Sequence, residues 1–308
     1  MYERFFGLKE KPFEITPDTE FFFSSEIHAE GLATLEYAVM EGKSFTVITG
    51  EVGCGKTTLI HRLLNELNGN VRSSYIFNPL MDTKEFLNFI CTDFGITGDV
   101  SRTNAGSLEV LHDFLLECHR KNEKVFLIVD EAQALNEQLL QLIRMLTNLE
   151  TSKNKLLNVM LIGQPELNET LNKKNLRALK QRISLRYHLN PLNRDETFEY
   201  ILYRLKKAGG KDIRIFDNSA LKQIYRYSGG IPRLINILCD NALVTGFSTG
   251  VKRIDKKIIL NIIRDLEGAV KKKERPKTGN LTFIMIILGF SALGLFIILA
   301  LMFLLFRI

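Results

Sequence analysis

The octapeptide Gly50-Glu51-Val52-Gly53-Cys54-Gly55-Lys56-Thr57 constrains this chain more than any other stretch, because it meets G-x-x-x-x-G-K-[ST] at every fixed position. Its flanks supply the context that pattern requires. The apolar run SFTVIT (44–49) before it reads as a strand. Thr57 to Leu67, with Leu59, Leu63, Leu64 and Leu67 at helical spacing, reads as a helix after it. Glycines let the backbone turn until its N–H groups converge, and the helix N-terminus adds its dipole. Gly50 through Thr58 are therefore expected to cradle the phosphates of a nucleotide, ATP. Lys56 would neutralise the β- and γ-oxygens and the Thr57 hydroxyl would ligate Mg2+.

Further apolar runs at Ser74–Phe77, VFLIVD (125–130), LNVMLIG (157–163) and Ile183–Leu189 alternate with helical segments at His28–Glu41, Thr83 to about Phe94, Leu108–His119 and 135–149. Runs without alternation, separated by helices, predict a parallel sheet covered on both faces, an α/β layered core. Asp130 ends its strand, where it can hold a Mg2+ shell, and Glu131 beside it can polarise an attacking water. The pair also suits a helix N-cap. Gln164, just past the strand at 157–163, sits where open α/β sheets gather ligands, and could orient water or sense the γ-phosphate; a polar loop residue is the alternative. Arg182, at the mouth of the next strand, is placed for an arginine finger into a neighbouring subunit or for a simple surface role. Arg233, after Gly229-Gly230, could approach the γ-phosphate or form a surface salt bridge.

Beyond residue 189 everything to about 268 reads helical, predicting a small all-α domain over 190–268 after a core at 1–189. Charge distribution matters here. The chain carries a net +6, but residues 271–308 alone hold six Lys or Arg against one acidic residue. A basic linker at 269–280 leads into Leu281–Phe306, 26 residues without a charge. At about 1.5 Å per residue that stretch exceeds a hydrocarbon core of roughly 30 Å, so a single transmembrane helix is expected. The basic residues before it place the N-terminal part in the cytoplasm, anchored to the inner membrane in a single pass. The charged N-terminus has no apolar core of a cleavable signal peptide. Cys54, Cys91, Cys118 and Cys239 show neither metal-ligand nor paired spacing and read as reduced, buried hydrophobes.

Several stretches together resemble the AAA+ ATPases typified by general secretion pathway protein A and related pilus- and exopolysaccharide-associated ATPases. They are MYERFFGLKEKPFEITPDTEFFF, His28-x-Glu30, TGEVGCGKTTL, VDEAQ, IGQPEL, QRISLRYHL and SGGIPRLIN. The resemblance implies a P-loop AAA+ three-layer core with a parallel five-stranded sheet, a helical lid, ATP-driven homo-oligomerisation and a role in envelope assembly. It implies that Lys56 and Thr57 bind nucleotide, that Asp130 and Glu131 serve Mg2+ and catalysis, and that Gln164, Arg182 and Arg233 act as sensor 1, arginine finger and sensor 2. The Pro12-Phe13 and Pro17-Asp18 segment would line the adenine side. Cys54 stands where relatives carry Thr or another small residue, which would make the site thiol-sensitive. The implied function is ATP hydrolysis driving a secretion, pilus or polysaccharide-export system. A DNA-binding transposition-type ATPase, supported by 14 basic against 9 acidic residues in 190–270, and an ATP-gated switch with little turnover are the alternatives.

Overall fold

A computed structural model describes residues 1–273 except 17, 68, 97–103 and 212–213, with the side chains of 269–273 also outside the description. The expected membrane span and the part of the expected 269–280 linker from residue 274 onward lie outside the described residues, whereas 269–273 are not linker but continue a helix that begins at Lys256. Among those that are described, no helix is long and apolar enough to cross a membrane.

Five strands form one parallel sheet: β1 (Phe45–Gly50), β2 (Val71–Ile76), β3 (Lys124–Val129), β4 (Asn158–Gly163) and β5 (Leu185–Leu189). Their order is β2-β3-β4-β1-β5, which puts the strand leading into the glycine-rich loop between β4 and β5. Register aligns Thr49 with Gly163 and Gly50 with Leu189, so the carboxyl ends of β1, β4 and β5 meet at one edge. The expected parallel α/β sheet is found. Its three inner strands are apolar runs because both faces are covered, as the near-complete burial of β1, β3 and β4 shows. Period-two alternation then divides them. Val47, Leu127, Val129, Val159 and Leu161 face one layer, and Ile48, Phe126, Ile128, Met160 and Ile162 face the other.

The second of these faces is covered by α2 (Glu26–Met40) and α3 (Lys56–Glu66) through Leu35, Ala38, Leu59, Ile60 and Leu63. The first is covered by α4 (Thr83–Asp93), α5 (Asn104–Arg120) and α6 (Glu137–Leu146) through Phe86, Ile90, Leu111, Leu115, Leu139 and Ile143. Asp82 and Glu85 form a reciprocal capping box on α4, and Asn136 caps α6, so local chemistry starts the helices where packing needs them. The two edge strands depart from the expectation of unbroken burial: β2 and β5 alternate. The last strand also begins at Leu185 rather than at 183. Short α7 (Glu166–Leu171) and α8 (Arg177–Lys180) intervene after β4, and the turn closing α8 takes Ile183, whose N–H donates to the Lys180 carbonyl at 3.3 Å.

Four helices follow: α9 (Arg194–Lys207), α10 (Asn218–Ser228), α11 (Pro232–Thr249) and α12 (Lys256–Lys273). Met1–Ile259 form one compact unit that takes in the sheet and α9 to α11. The aromatic N-terminus is explained by these helices. α1 (Tyr2–Phe6) docks on α11, with the Tyr2 hydroxyl donating to Asp240 at 2.5 Å and Phe5 edge-on to Phe247 at 5.7 Å. Beyond it, the Lys9 N–H donates to the Ala208 carbonyl at 2.8 Å and Phe13 packs on Phe216.

Candidate functional site

At the sheet's carboxyl edge, the chain turns from β1 into α3 through the glycine-rich loop. Gly55 has φ +100°, a conformation disfavoured for residues with a Cβ. A Cβ there would also lie 2.9 Å from His28 Nε2. Gly53, at φ +84°, lies so close to α11 that a Cβ would meet the Arg233 Cβ at 2.6 Å. Two glycines of the motif are thus required by neighbours as well as by loop curvature.

The loop borders a cavity of about 480 Å3. One wall is Val52, Gly53 and Gly55 to Thr58 with Glu131. The other is built from the N-terminal segment, Leu192, Tyr200, Arg204 and the start of α11, including Arg233 and Asn236. Val52, Gly53, Gly55, Lys56, Thr57, Thr58, Glu131 and Arg233 therefore share one cavity. Lys56 is buried at 6% exposure, its ammonium donating to the carbonyls of Gly50 (2.7 Å) and Glu51 (3.0 Å). The Arg233 N–H donates to the Gly53 carbonyl at 3.2 Å, seating α11 on the loop. Asp18 with Phe21, Phe22 and Phe23 lines the far side, as do Glu14 and Ile15. Pro12 and Phe13, expected on that wall, stand behind it. Phe13 is buried against Phe216, and the Pro12 carbonyl accepts from the Arg204 guanidinium. The chain reaches the cavity at Glu14 and Ile15, and the aromatic side chains that line it are those of Phe21, Phe22 and Phe23.

Asp130 is buried at the end of β3, and each of its oxygens is engaged. Oδ1 accepts the Glu131 N–H at 2.8 Å, while Oδ2 accepts the Thr57 hydroxyl at 2.7 Å and the Tyr75 hydroxyl at 3.1 Å. The residue is thus a strand-end acceptor tied to the glycine-rich loop, and Glu131, exposed beside it, caps no helix with its side chain. Glu131 has φ +49°, a left-handed conformation costing a non-glycine residue on the order of 1–3 kcal/mol. Its Oε2 accepts from the Gln164 amide at 3.2 Å and from the Gln133 amide, and the Gln133 Oε1 in turn accepts the Gln164 N–H at 3.0 Å. Glu131 and Gln164 are therefore brought together, with Gln133 as the bridge. No role for Gln133 was legible in the sequence; its only signal was a polar residue two beyond Glu131, at the centre of a single 3-10 turn over Ala132–Ala134.

His28 is the second residue whose role sequence reasoning did not assign. It is buried and lies between the Ser25 hydroxyl (2.8 Å at Nδ1) and the Cys54 carbonyl (2.9 Å at Nε2). A carbonyl only accepts, so Nε2 carries the proton, and in the neutral ring Nδ1 accepts from Ser25. Burial lowers its pKa from the ordinary histidine value and favours that neutral form. Cys54 itself is fully buried, and burial pushes its thiol up to about 11. Burial and the raised pKa both disfavour the thiolate at neutral pH and so work against the expected thiol sensitivity. All four cysteines are free and buried, as their spacing suggested.

Arg182 is not part of this cavity. Its guanidinium caps the C-terminal turn of α6 in the same chain, donating to the Arg144 carbonyl (2.7 Å), Thr147 Oγ1 (2.6 Å) and Asn148 Oδ1. It lies before β5, at the amino edge of the sheet, away from the loop. Thr57, Asp130 and the phosphate oxygens of a nucleotide make a hard-oxygen set of the kind Mg2+ takes, one carboxylate with substrate phosphates, so this chain's residues fit that ion.

A model of the AAA domain family matches residues 39–171. The chain is 43% identical over 254 residues to general secretion pathway protein A of Aeromonas hydrophila, covering 82% of this chain and 46% of that protein. It thus spans just under half the length of that curated relative. An uncharacterised HTH-type transcriptional regulator of Methanocaldococcus jannaschii is 29% identical over 107 residues, 34% of this chain and 26% of the regulator. Among solved structures, the Aeropyrum pernix ORC2 protein aligns with a TM-score of 0.56 at 18% identity, over 80% of this chain and 71% of that one. The Thermotoga maritima RuvB Holliday junction branch migration motor aligns at 0.54 and 19% identity, over 82% and 74%. At such identities these structures establish the fold alone.

Proposed function

Taking as premise that this is an AAA+ P-loop chain related to general secretion pathway protein A, we propose that it is a membrane-anchored, Mg2+-dependent ATPase whose cycle drives assembly or regulation of an envelope secretion, pilus or polysaccharide-export system. The observation that carries the hydrolytic part is the convergence of Lys56, Thr57, Asp130, Glu131 and Gln164 on the carboxyl edge of one parallel sheet.

In this reading Lys56 leaves the Gly50 and Glu51 carbonyls for the β- and γ-oxygens, and backbone N–H groups of residues 52–57 hold the phosphates. Mg2+, when bound, would supply positive charge that offsets that of the phosphates. Thr57 and Asp130 hold its shell. Glu131 accepts a proton from the attacking water, and the two amides on its Oε2 fix its direction. Its left-handed backbone supports this assignment, since strain that the fold tolerates is common where geometry serves chemistry. Arg233 approaches the γ-phosphate from α11, with α9 to α12 acting as the lid. Arg182 reaches a neighbouring copy, which requires it to release α6. Leu281–Phe306 span the inner membrane with the ATPase in the cytoplasm.

Glu131→Gln tests the chemistry. Turnover of Mg2+–ATP should fall at least about 100-fold, within the 10²–10⁴-fold range of general-base contributions, while nucleotide affinity holds. Full turnover in that variant would refute the assignment of the base. Flotation of the full-length chain with membranes, resistant to carbonate, tests the anchor separately.

A further inference from the structure

Asp130 presents its Oδ2 to two hydroxyls, and only one of them, that of Thr57, belongs to the glycine-rich motif. The other comes from Tyr75, on neighbouring β2, at 3.1 Å. Three elements converge to hold it there. The β2–β3 register pairs Tyr75 with Ile128, and the Asp130 N–H continues the ladder to the Ile76 carbonyl at 2.8 Å. His61, on α3, meets the Tyr75 ring edge-on at 5.7 Å and 81°. The Tyr75 N–H donates to Asp93 at 3.0 Å, fixing the edge strand to α4.

A carboxylate oxygen that accepts two hydroxyls has its plane and its free lone-pair direction set by both. When Thr57 turns its hydroxyl oxygen toward a cation, one of those restraints is withdrawn. Only Tyr75 then remains to keep Oδ2 aimed, because Oδ1 is held by the Glu131 N–H at 2.8 Å. We infer that Tyr75 is a positioning residue which acts through Asp130 to set the affinity of the site for the divalent cation that accompanies the nucleotide. Its hydroxyl touches no phosphate in this scheme and has no part in proton transfer. The inference rests on the reading of Thr57 and Asp130 as the cation's shell.

The test is Tyr75→Phe in the full-length chain, with a fluorescent non-hydrolysable ATP analogue titrated at fixed Mg2+ and then with Mg2+ varied. Outer-shell partners of metal ligands are worth about 10–100-fold in metal affinity. The Mg2+ midpoint for analogue binding should therefore rise about tenfold, with affinity in EDTA within twofold of the parent. Combining Tyr75→Phe with Asp130→Asn should add no further shift, since the hydroxyl acts through that carboxylate. An unchanged Mg2+ midpoint would overturn the inference, as would an equal loss of affinity in EDTA, which would mean that Tyr75 merely shapes the cavity. If Tyr75→Phe does not fold, His61→Leu removes the edge contact that braces the ring. It should move the midpoint in the same direction by a smaller factor, and no movement there would be equally fatal. Failure of the underlying reading looks different: the parent itself would bind the analogue without any response to Mg2+.

Discussion

His28→Phe is the perturbation that most directly separates a loop held by its own glycines from one held by its neighbours. Phenylalanine keeps the ring volume and the edge contact with Phe22, whose centroid lies 6.0 Å away, but removes both polar bonds. The Cys54 carbonyl loses a partner at 2.9 Å in a region where His28 is only 6% exposed. Leaving a buried acceptor unpaired costs about 1–3 kcal/mol. If that loss falls on the loop conformation proposed to receive phosphates, nucleotide affinity should drop about 5- to 150-fold, at 1.4 kcal/mol per factor of ten. If it falls on the fold as a whole, melting drops about 2–4 °C per kcal/mol for a unit of this size. Calorimetric titration with a non-hydrolysable analogue and a thermal melt together distinguish the two. The pH dependence gives an independent signature. The folded pKa of His28 lies below the unfolded one. Its contribution is therefore complete above the unfolded value near 6.5 and is lost as pH falls from there through the lower folded pKa. The parent should lose stability on acidification through that window, and the variant should lose less. Affinity within twofold of the parent, an unchanged melt and an identical pH slope would refute the idea that His28 holds the loop.

Three other outcomes follow from the same geometry. Gln133→Ala removes the bridge between Glu131 and Gln164 and should lower turnover by up to about 100-fold through misplacement of Glu131, with analogue affinity unchanged; a full rate measured by phosphate release would show that Glu131 needs no such support. Arg182→Ala removes three hydrogen bonds at the α6 terminus, leaving the Arg144 carbonyl only the Thr147 hydroxyl as a side-chain donor, and should destabilise the chain by about 1–3 kcal/mol in a denaturant melt. Mixing it with Glu131→Gln, followed by phosphate release, tests the finger as well: recovered turnover requires the two variants to complement across subunits. The native chain should show no fast-reacting thiol in a chromogenic disulfide assay, because Cys54, Cys91, Cys118 and Cys239 are all buried, and rapid labelling of Cys54 would contradict its raised pKa.

The parallel sheet was legible because three of its strands are apolar on both faces and the glycine-rich loop has only one structural context. Edge strands were read less well. The pattern of β2 is half-buried, and its start at Val71 was hidden by Arg72 and Ser73, whose side chains need no core. The bonds that tie Tyr75, Gln133 and His28 to the loop and the two carboxylates lie in a different class. Each is a polar residue whose partner is 26 to 55 positions away or sits on a one-turn helix, and periodicity carries no record of such pairs. The N-terminal aromatics illustrate the same limit: their abundance signalled burial, but not that Phe21 to Phe23, rather than Phe13, reach the cavity.

The seating of Arg233 on Gly53 has a mechanical consequence. α11 has 18 residues, so at 1.5 Å per residue it is a rod about 27 Å long, joined near one end to the glycine-rich loop by the Arg233–Gly53 bond. Gly53 and Arg233 approach so closely at that joint that a Cβ on Gly53 would lie 2.6 Å from the Arg233 Cβ, so a tilt of the loop would be passed to the helix. A pivot of about 10° would carry the far end of such a rod by about 5 Å. The Tyr2–Asp240 bond, part-way along the rod, would take the N-terminal helix with it. A small displacement at the glycine-rich loop would thus be magnified at the far end of such a rod.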